Sequence, residues 1–185
     1  MQNWGRKLTN VARTLTAAVL VILVCVPTVR AQDQGAADTA TPESIVAATY
    51  ESIERAPGGD FDWDRFRNLF LPEARLIPNT EQRNGAFDIL TPEEFIDWLV
   101  GVTTIGGAND RGSAESGVHN VIEQYGDVAH VFSTYEKHYW GETEILGRGI
   151  NSFQLVRNDG RWWIVGIVWD EDYAAGPIPP RYGGN

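Results

Sequence analysis

Two periodicities divide the chain. From residue 41 to about residue 105, apolar positions recur at helical spacing, and from residue 115 onwards they alternate. Thr41-Pro42-Glu43-Ser44 is an N-cap followed by a proline at the first helical position. It predicts a helix carrying Ile45, Ala48, Thr49, Ser52 and Ile53 on one stripe, with Tyr50 beside it. Pro57-Gly58-Gly59 ends that helix. A second, short helix starts near Asp62, with Phe66, Leu69 and Phe70 on one face, and closes at Pro72. Residues 74–78 fit a short strand. Thr91-Pro92-Glu93-Glu94 repeats the capping signal and opens a third helix through Phe95, Trp98, Leu99 and Val102.

The alternating half is divided at Gly126-Asp127, Gly141-Glu142 and Asp159-Gly160, which predicts four antiparallel strands over 115–125, 128–140, 143–158 and 161–171. Helices followed by a meander make an α+β fold, with N-terminal helices packed on a strongly curved antiparallel sheet. The domain spans 42–173. Residues 32–41 read as a flexible lead-in, and 174–185 as an extended Pro/Gly-rich tail.

Two-residue turns fix the register by arithmetic. They place Glu115 opposite His138, His119 opposite Thr134, and Glu123 opposite His130. They also set Asn151 between Phe132 and Val168, and Gly149 between Thr134 and Asp170. All of these share one face with Val121, Phe153, Leu155, Trp162 and Ile164. Glycines on that face let the sheet bend around a cavity beneath the helices. The opposite face, with Tyr135, Lys137, Arg148, Trp163 and Trp169, mixes aromatics with charge and is expected to meet a second copy, giving a homodimer.

Composition adds an address. Arg6, Lys7 and Arg13 precede an apolar run over 15–26, and Val29-Arg30-Ala31 offers a cleavage site, so residues 1–31 read as a secretory signal peptide cut after Ala31. The run falls short of the roughly 20 residues that span a bilayer. The mature chain is expected in the periplasm or outside the cell, without stable membrane insertion. The 185-residue chain has a net charge of −10; losing the leader's four basic residues leaves 11 against 25 acidic, or −14. Such a surface, with no basic cluster, excludes nucleic acid as a partner. The leader holds the only Cys and the only Met, so no disulfide supports the mature fold. With three His and no mature Cys, no metal site is expected, and no cofactor.

The order helix, helix, strand, helix, curled sheet is similar to the nuclear transport factor 2-like superfamily, in particular its SnoaL-like branch with a cystatin-like cone. The resemblance covers about residues 42–171. It is carried by Asp60, by Leu69-Phe70-Leu71-Pro72-Glu73-Ala74, by Gly126-Asp127-Val128-Ala129 with Val131 and Ser133, and by residues 156–164 around Trp162-Trp163. It implies a cone-shaped cavity between sheet and helices and pairing through the outer sheet face. It includes ketosteroid isomerases, polyketide cyclases and scytalone-type dehydratases beside many non-catalytic binding modules. Where many members carry an Asp seven residues before the last turn's glycine, this chain has Phe153. Where some dehydratase-like members carry His and Asn four apart on the first long strand, it has Glu115 and His119.

Three functions follow as expectations. The first is a binding module for a small, largely apolar or aromatic molecule, contacted by Tyr50, Trp63, Trp98, Phe132, Phe153 and Trp162 and oriented by His119, Thr134 and Asn151. The second is a cofactor-free lyase or isomerase with His138 as base, Glu115 holding its tautomer, and His119 or Asp170 as acid. The third is a non-catalytic dimerisation or assembly domain.

Overall fold

The computed structural model describes residues 33–79, 88–105 and 111–184. The expected signal peptide over 1–31 lies outside the described residues. Helices open where the sequence places their caps. The Thr41 hydroxyl accepts from the Ser44 backbone N–H at 3.1 Å, while Ser44 Oγ accepts from the Thr41 N–H at 3.0 Å, starting α1 (Pro42–Ser52). Asp62 caps α2 (Trp63–Leu69) by accepting from Arg65 N–H at 3.1 Å. Thr91 and Glu94 exchange the same reciprocal bonds at the head of α3 (Pro92–Ile105).

The strands are β1 (Phe70–Ile77), β2 (Ala114–Tyr125), β3 (Val128–His138), β4 (Gly147–Asn158) and β5 (Arg161–Glu171), in the order β1-β5-β4-β3-β2. The sheet is mixed, because β1 leaves α2 directly at Phe70 and runs parallel to β5, with Phe70 beside Ile164 and Ile77 beside Val168. A four-residue helix, α4 (Asp172–Ala175), and a 3₁₀ turn (Pro180–Tyr182) follow. The helices bury Ile45, Phe66 and Leu69 against Val131, Phe153, Leu155 and Ile164 of the sheet.

Register departs from the two-residue arithmetic at three places. Gly126-Asp127 and Asp159-Gly160 are true two-residue turns, the latter with φ of 50° and 79°, the left-handed pair that suits the twist of a hairpin. Next to the first turn, His119 pairs with Thr134 and Glu123 with His130, as expected. Beyond Gly117 a bulge leaves Val118 without a partner, so Glu115 pairs with Lys137, and His138 with Ala114. The β3–β4 connection is a loop over 139–146 rather than a turn at Gly141-Glu142. Arg111 fastens it, ion-paired with Glu142 and lying 3.7 Å over the Tyr139 ring. This moves β4 one residue against β3, and a second bulge at Val165 moves β5 against β4. Asn151 therefore stands between Ser133 and Trp169, and Gly149 between Tyr135 and Glu171.

Because side chains alternate, a shift of one residue exchanges the faces of a strand. Tyr135, Lys137 and Trp169, expected outside, face the helices together with Asn151, Phe153 and Glu171. His119, Phe132 and Thr134 go to the outer face.

Both ends of the domain are tied down. Residues 33–38, expected as flexible lead-in, form a helical turn whose Asp38 is buried and takes two hydrogen bonds from Arg65, each 2.8 Å. The Thr39 carbonyl then accepts from Trp162 N–H at 2.9 Å. The tail folds back over the outer face instead of extending away. Tyr182 packs on Phe132 with centroids 4.8 Å apart, and its carbonyl accepts from the Thr134 hydroxyl at 2.6 Å. No helix among the described residues is long and apolar enough to cross a membrane.

Candidate ligand cavity

A cavity of ≈ 510 Å³ lies between α1, α3 and the inner face of the sheet. Its walls are apolar: Ile53 just past α1, Phe95, Trp98 and Leu99 from α3, and Phe153, Ile167 and Trp169 from the sheet. Phe95 meets Trp169 edge-on at 6.0 Å, and the Trp98 and Trp169 rings are 6.3 Å apart, so the aromatics brace one another and leave a shaped space.

Polar groups gather at one end. Tyr50 reaches from α1 to donate its hydroxyl proton to Ser133 Oγ at 2.8 Å, and accepts from Asn151 Nδ2 at 3.1 Å. The same amide nitrogen lies 3.4 Å from Glu115 Oε1. The Lys137 ammonium pairs with the Glu171 carboxylate. Glycines make room for the two tyrosines. A Cβ on Gly117 would lie 2.7 Å from the Tyr50 ring, and one on Gly149 would lie 2.5 Å from the Tyr135 oxygen.

Burial controls the protonation of this cluster. Loss of water pushes the Glu115 carboxyl up to about 7, helped by Glu171 and opposed by the Lys137 ammonium and the Asn151 amide. Tyr50 and Tyr135 are held above the usual phenol range by burial first and by the Glu115 charge second, so both stay neutral donors. A smaller polar cleft of ≈ 230 Å³ opens on the far side of Glu115 and Tyr50, between α1 and β2, beside Glu51, Glu54 and Asn120. Among the described residues no group of three or more His, Cys, Asp or Glu is placed to hold a metal ion.

Of the residues singled out in the sequence, the cavity brings together Tyr50, Trp98, Glu115, Asn151 and Phe153. His138 borders it, but the ring is occupied: Nδ1 donates to the Glu144 carbonyl at 3.0 Å, and Nε2 lies 3.7 Å from the Glu136 carboxylate. The expected Glu115–His138 pair does not exist, because the bulge at Val118 moves Glu115 onto Lys137. His119 lies on the outer face under the tail, with its Cβ where a Cβ on Gly183 would sit 2.8 Å away. Phe132 and Thr134 are taken up by Tyr182. Asp170 accepts from Asn79 Nδ2 at 2.6 Å and from the Glu171 N–H at 2.8 Å, outside the cavity. Trp63 packs at a tilt on Phe61 and edge-on against Phe66, and Trp162 is core. Tyr135, Lys137, Trp169 and Glu171 complete the site and escaped the sequence reading because it placed them on the wrong face.

The sequence matches no protein-family model and no curated protein. Solved structures match it at the level of the fold. A protein with a cystatin-like fold from Nostoc punctiforme superposes with a TM-score of 0.52 at 13% identity, covering 72% of this chain and 95% of that one. Nuclear-transport-factor-2-like proteins align at TM-scores of 0.48. One, from Silicibacter pomeroyi, is 16% identical over 76% of this chain and 98% of its own. Another, from Shewanella baltica, is 11% identical over 79% and 97%. The fold of this chain is an α+β cystatin-like fold.

Proposed function

We propose that the chain is a small-molecule-binding domain that takes a largely apolar molecule into the cavity and orients its polar end against Glu115 and its neighbours. The observation that carries this reading is the cavity itself, ≈ 510 Å³ with aromatic walls and polar groups at one end. The test uses Nile red, a neutral dye that brightens in apolar surroundings. It should bind saturably and quench Trp98 and Trp169, and Leu99→Trp, which fills the cavity, should abolish binding. Binding that survives Leu99→Trp, or no binding at all, overturns the proposal.

A second reading, cofactor-free isomerisation or dehydration, is supported by one specific group. A carboxyl titrating near 7 inside an apolar cavity is matched to proton transfer at neutral pH. Here Glu115 is the base, and His138 and His119 have no part. Glu115-dependent exchange of deuterium from solvent into the carbon beside a bound ketone, followed by mass spectrometry and lost in Glu115→Gln, is the expected result. Exchange equal in both proteins sinks it.

We infer in addition that the chain is exported and pairs with a second copy. The leader over 1–31 supports export, and a chain recovered outside the cytoplasm should begin at Gln32. The exposed Val165 and Val168 on the outer face support pairing. Sedimentation should give a dimer that Val168→Glu dissociates; a monomeric wild type refutes pairing.

A further inference from the structure

The hydrogen-bond inventory at the polar end of the cavity is lopsided. Tyr50 gives its proton to Ser133. Asn151 directs both amide hydrogens inward, one to Tyr50 and one to Glu115. Lys137 turns its ammonium onto Glu171. The Tyr50 and Asn151 donors are committed and Lys137 spends one N–H on Glu171, whereas Glu115 receives a single long contact of 3.4 Å on Oε1, and its Oε2 has no hydrogen-bond partner among the described residues. Glu115 therefore offers unused acceptor capacity on a half-buried carboxyl at the polar end of the cavity.

Charge is unbalanced in the same sense. Glu115 and Glu171 face the cavity against one ammonium, Lys137. From the α1 side Glu54 and Glu51 border the adjoining cleft, Glu51 being held by Arg65 at 2.6 Å. Of the other titratable groups lining the cavity, Tyr50 and Tyr135 are neutral phenols with ring centroids 6.5 Å apart, and Tyr139, Tyr173 and His138 complete the set, His138 being bound to the Glu144 carbonyl. An ionised carboxylate in such a place is costly without a cationic partner, and aromatic faces favour a cation beside them.

Resting on the binding reading above, we propose that the ligand is an apolar amine: an aryl or alkyl body against Trp98 and Trp169, and a protonated amine donating to Glu115. The ligand supplies the donor and the positive charge that the protein withholds. A carbonyl-bearing ligand would instead need a donor, such as an N–H of Lys137 not spent on Glu171.

Three indole probes of nearly one shape decide the matter by calorimetry on the full chain: tryptamine (amine), tryptophol (alcohol) and indolylacetone (ketone). At about pH 8 tryptamine is expected to bind at least about tenfold tighter than either neutral analogue. Its affinity should fall as pH is lowered from about 8 to about 6, when Glu115 takes up a proton, while that of tryptophol stays level. Glu115→Gln should erase the tenfold preference by weakening tryptamine far more than tryptophol. If that variant does not fold, the pH profiles of the wild type decide alone. Tryptophol or indolylacetone binding as tightly as tryptamine overturns the amine proposal and leaves the binding reading intact. Failure of all three to bind, together with failure of Nile red, overturns both.

Discussion

Asn151 holds its amide nitrogen 3.4 Å from Glu115 Oε1, across the width of β3. The contact is possible because Asn151 pairs with Ser133 on β3, and Ser133 in turn receives the Tyr50 hydroxyl. One helix and three strands thus meet at a chain of polar groups with an apolar cavity above it. Any change in register along β2, β3 or β4 would separate its members, so the bulge at Val118 and the long 139–146 loop are conditions of the site.

The first prediction concerns stability and pH. Glu115 titrates near 7 in the fold and near about 4.3 in an unfolded chain. A raised folded value means that the native state binds this proton more tightly. Its contribution is fully present below about pH 4.3 and is lost as pH rises through about 7. Glu115→Gln keeps an acceptor for Asn151 and removes the buried charge. At about pH 8 it should be more stable than wild type by on the order of 2 kcal/mol. The difference should shrink as pH falls and vanish only below about pH 4. Urea melts at a series of pH values check this; a difference independent of pH refutes it.

The neighbours of Glu115 should shift its titration in opposite directions. Lys137 favours the carboxylate and Glu171 disfavours it. Lys137→Met should move the Glu115 midpoint up, and Glu171→Gln should move it down, as read from carboxyl carbon NMR shifts. Equal directions in the two variants would mean that burial alone governs the group.

Why the fold was legible and half the site was not follows from how each is encoded. Caps act locally, so Thr41, Asp62 and Thr91 each announced a helix within four residues. The two short turns announced hairpins in the same way. Faces are encoded differently, since each loop length and bulge carries into every residue that follows. Gly141-Glu142 has the composition of a two-residue turn, and the bulges at Val118 and Val165 carry no local mark of their own. Two-residue arithmetic therefore puts Tyr135, Lys137 and Trp169 outside and Thr134 and Phe132 inside. A signal was present in the glycines. Gly117 and Gly149 flank Tyr135 on its two neighbouring strands, which is the pattern expected where a large ring lies across the sheet.

Gly149 is needed for want of a side chain. Its φ is ordinary, but an added Cβ would lie 2.5 Å from the Tyr135 hydroxyl and would also meet the Asp170 carbonyl. The backbone carbonyl cannot move aside as a flexible side chain can. Gly149→Ala should cost about 2 kcal/mol, within the usual range for overpacking. Gly149→Ala in a Tyr135→Leu background should cost less, because one of the two collisions is gone. Denaturant midpoints of the four proteins test the coupling; strict additivity would show that the carbonyl alone sets the penalty.

The segment before α1 should prove part of the domain. Asp38 is 8% exposed and binds Arg65, itself 16% exposed, through both carboxylate oxygens. Asp38→Ala strips the guanidinium of its buried partner and leaves it the exposed Glu51. A loss of about 2–3 kcal/mol is expected, at the lower end for a broken buried pair because Glu51 remains. A chain beginning at Pro42 should lose at least as much. If Asp38→Ala is neutral, the pairing contributes nothing to stability and the segment is dispensable.

The tail makes the final prediction, because its hydrogen bond and its ring contact are separable. Thr134→Val removes the hydroxyl that donates to the Tyr182 carbonyl at 2.6 Å while keeping the shape of the side chain. It should cost about 1 kcal/mol. Removing residues 177–185 also strips Tyr182 from Phe132, which adds roughly 0.5–1.5 kcal/mol for an aromatic pair. With the tail absent, the Thr134 hydroxyl points to solvent, and Thr134→Val should become close to neutral. Comparing the substitution in the full and shortened chains by urea denaturation isolates that bond. A cost that persists without the tail would place the role of Thr134 within the sheet, and the tail would then be held by Tyr182 and Phe132 alone.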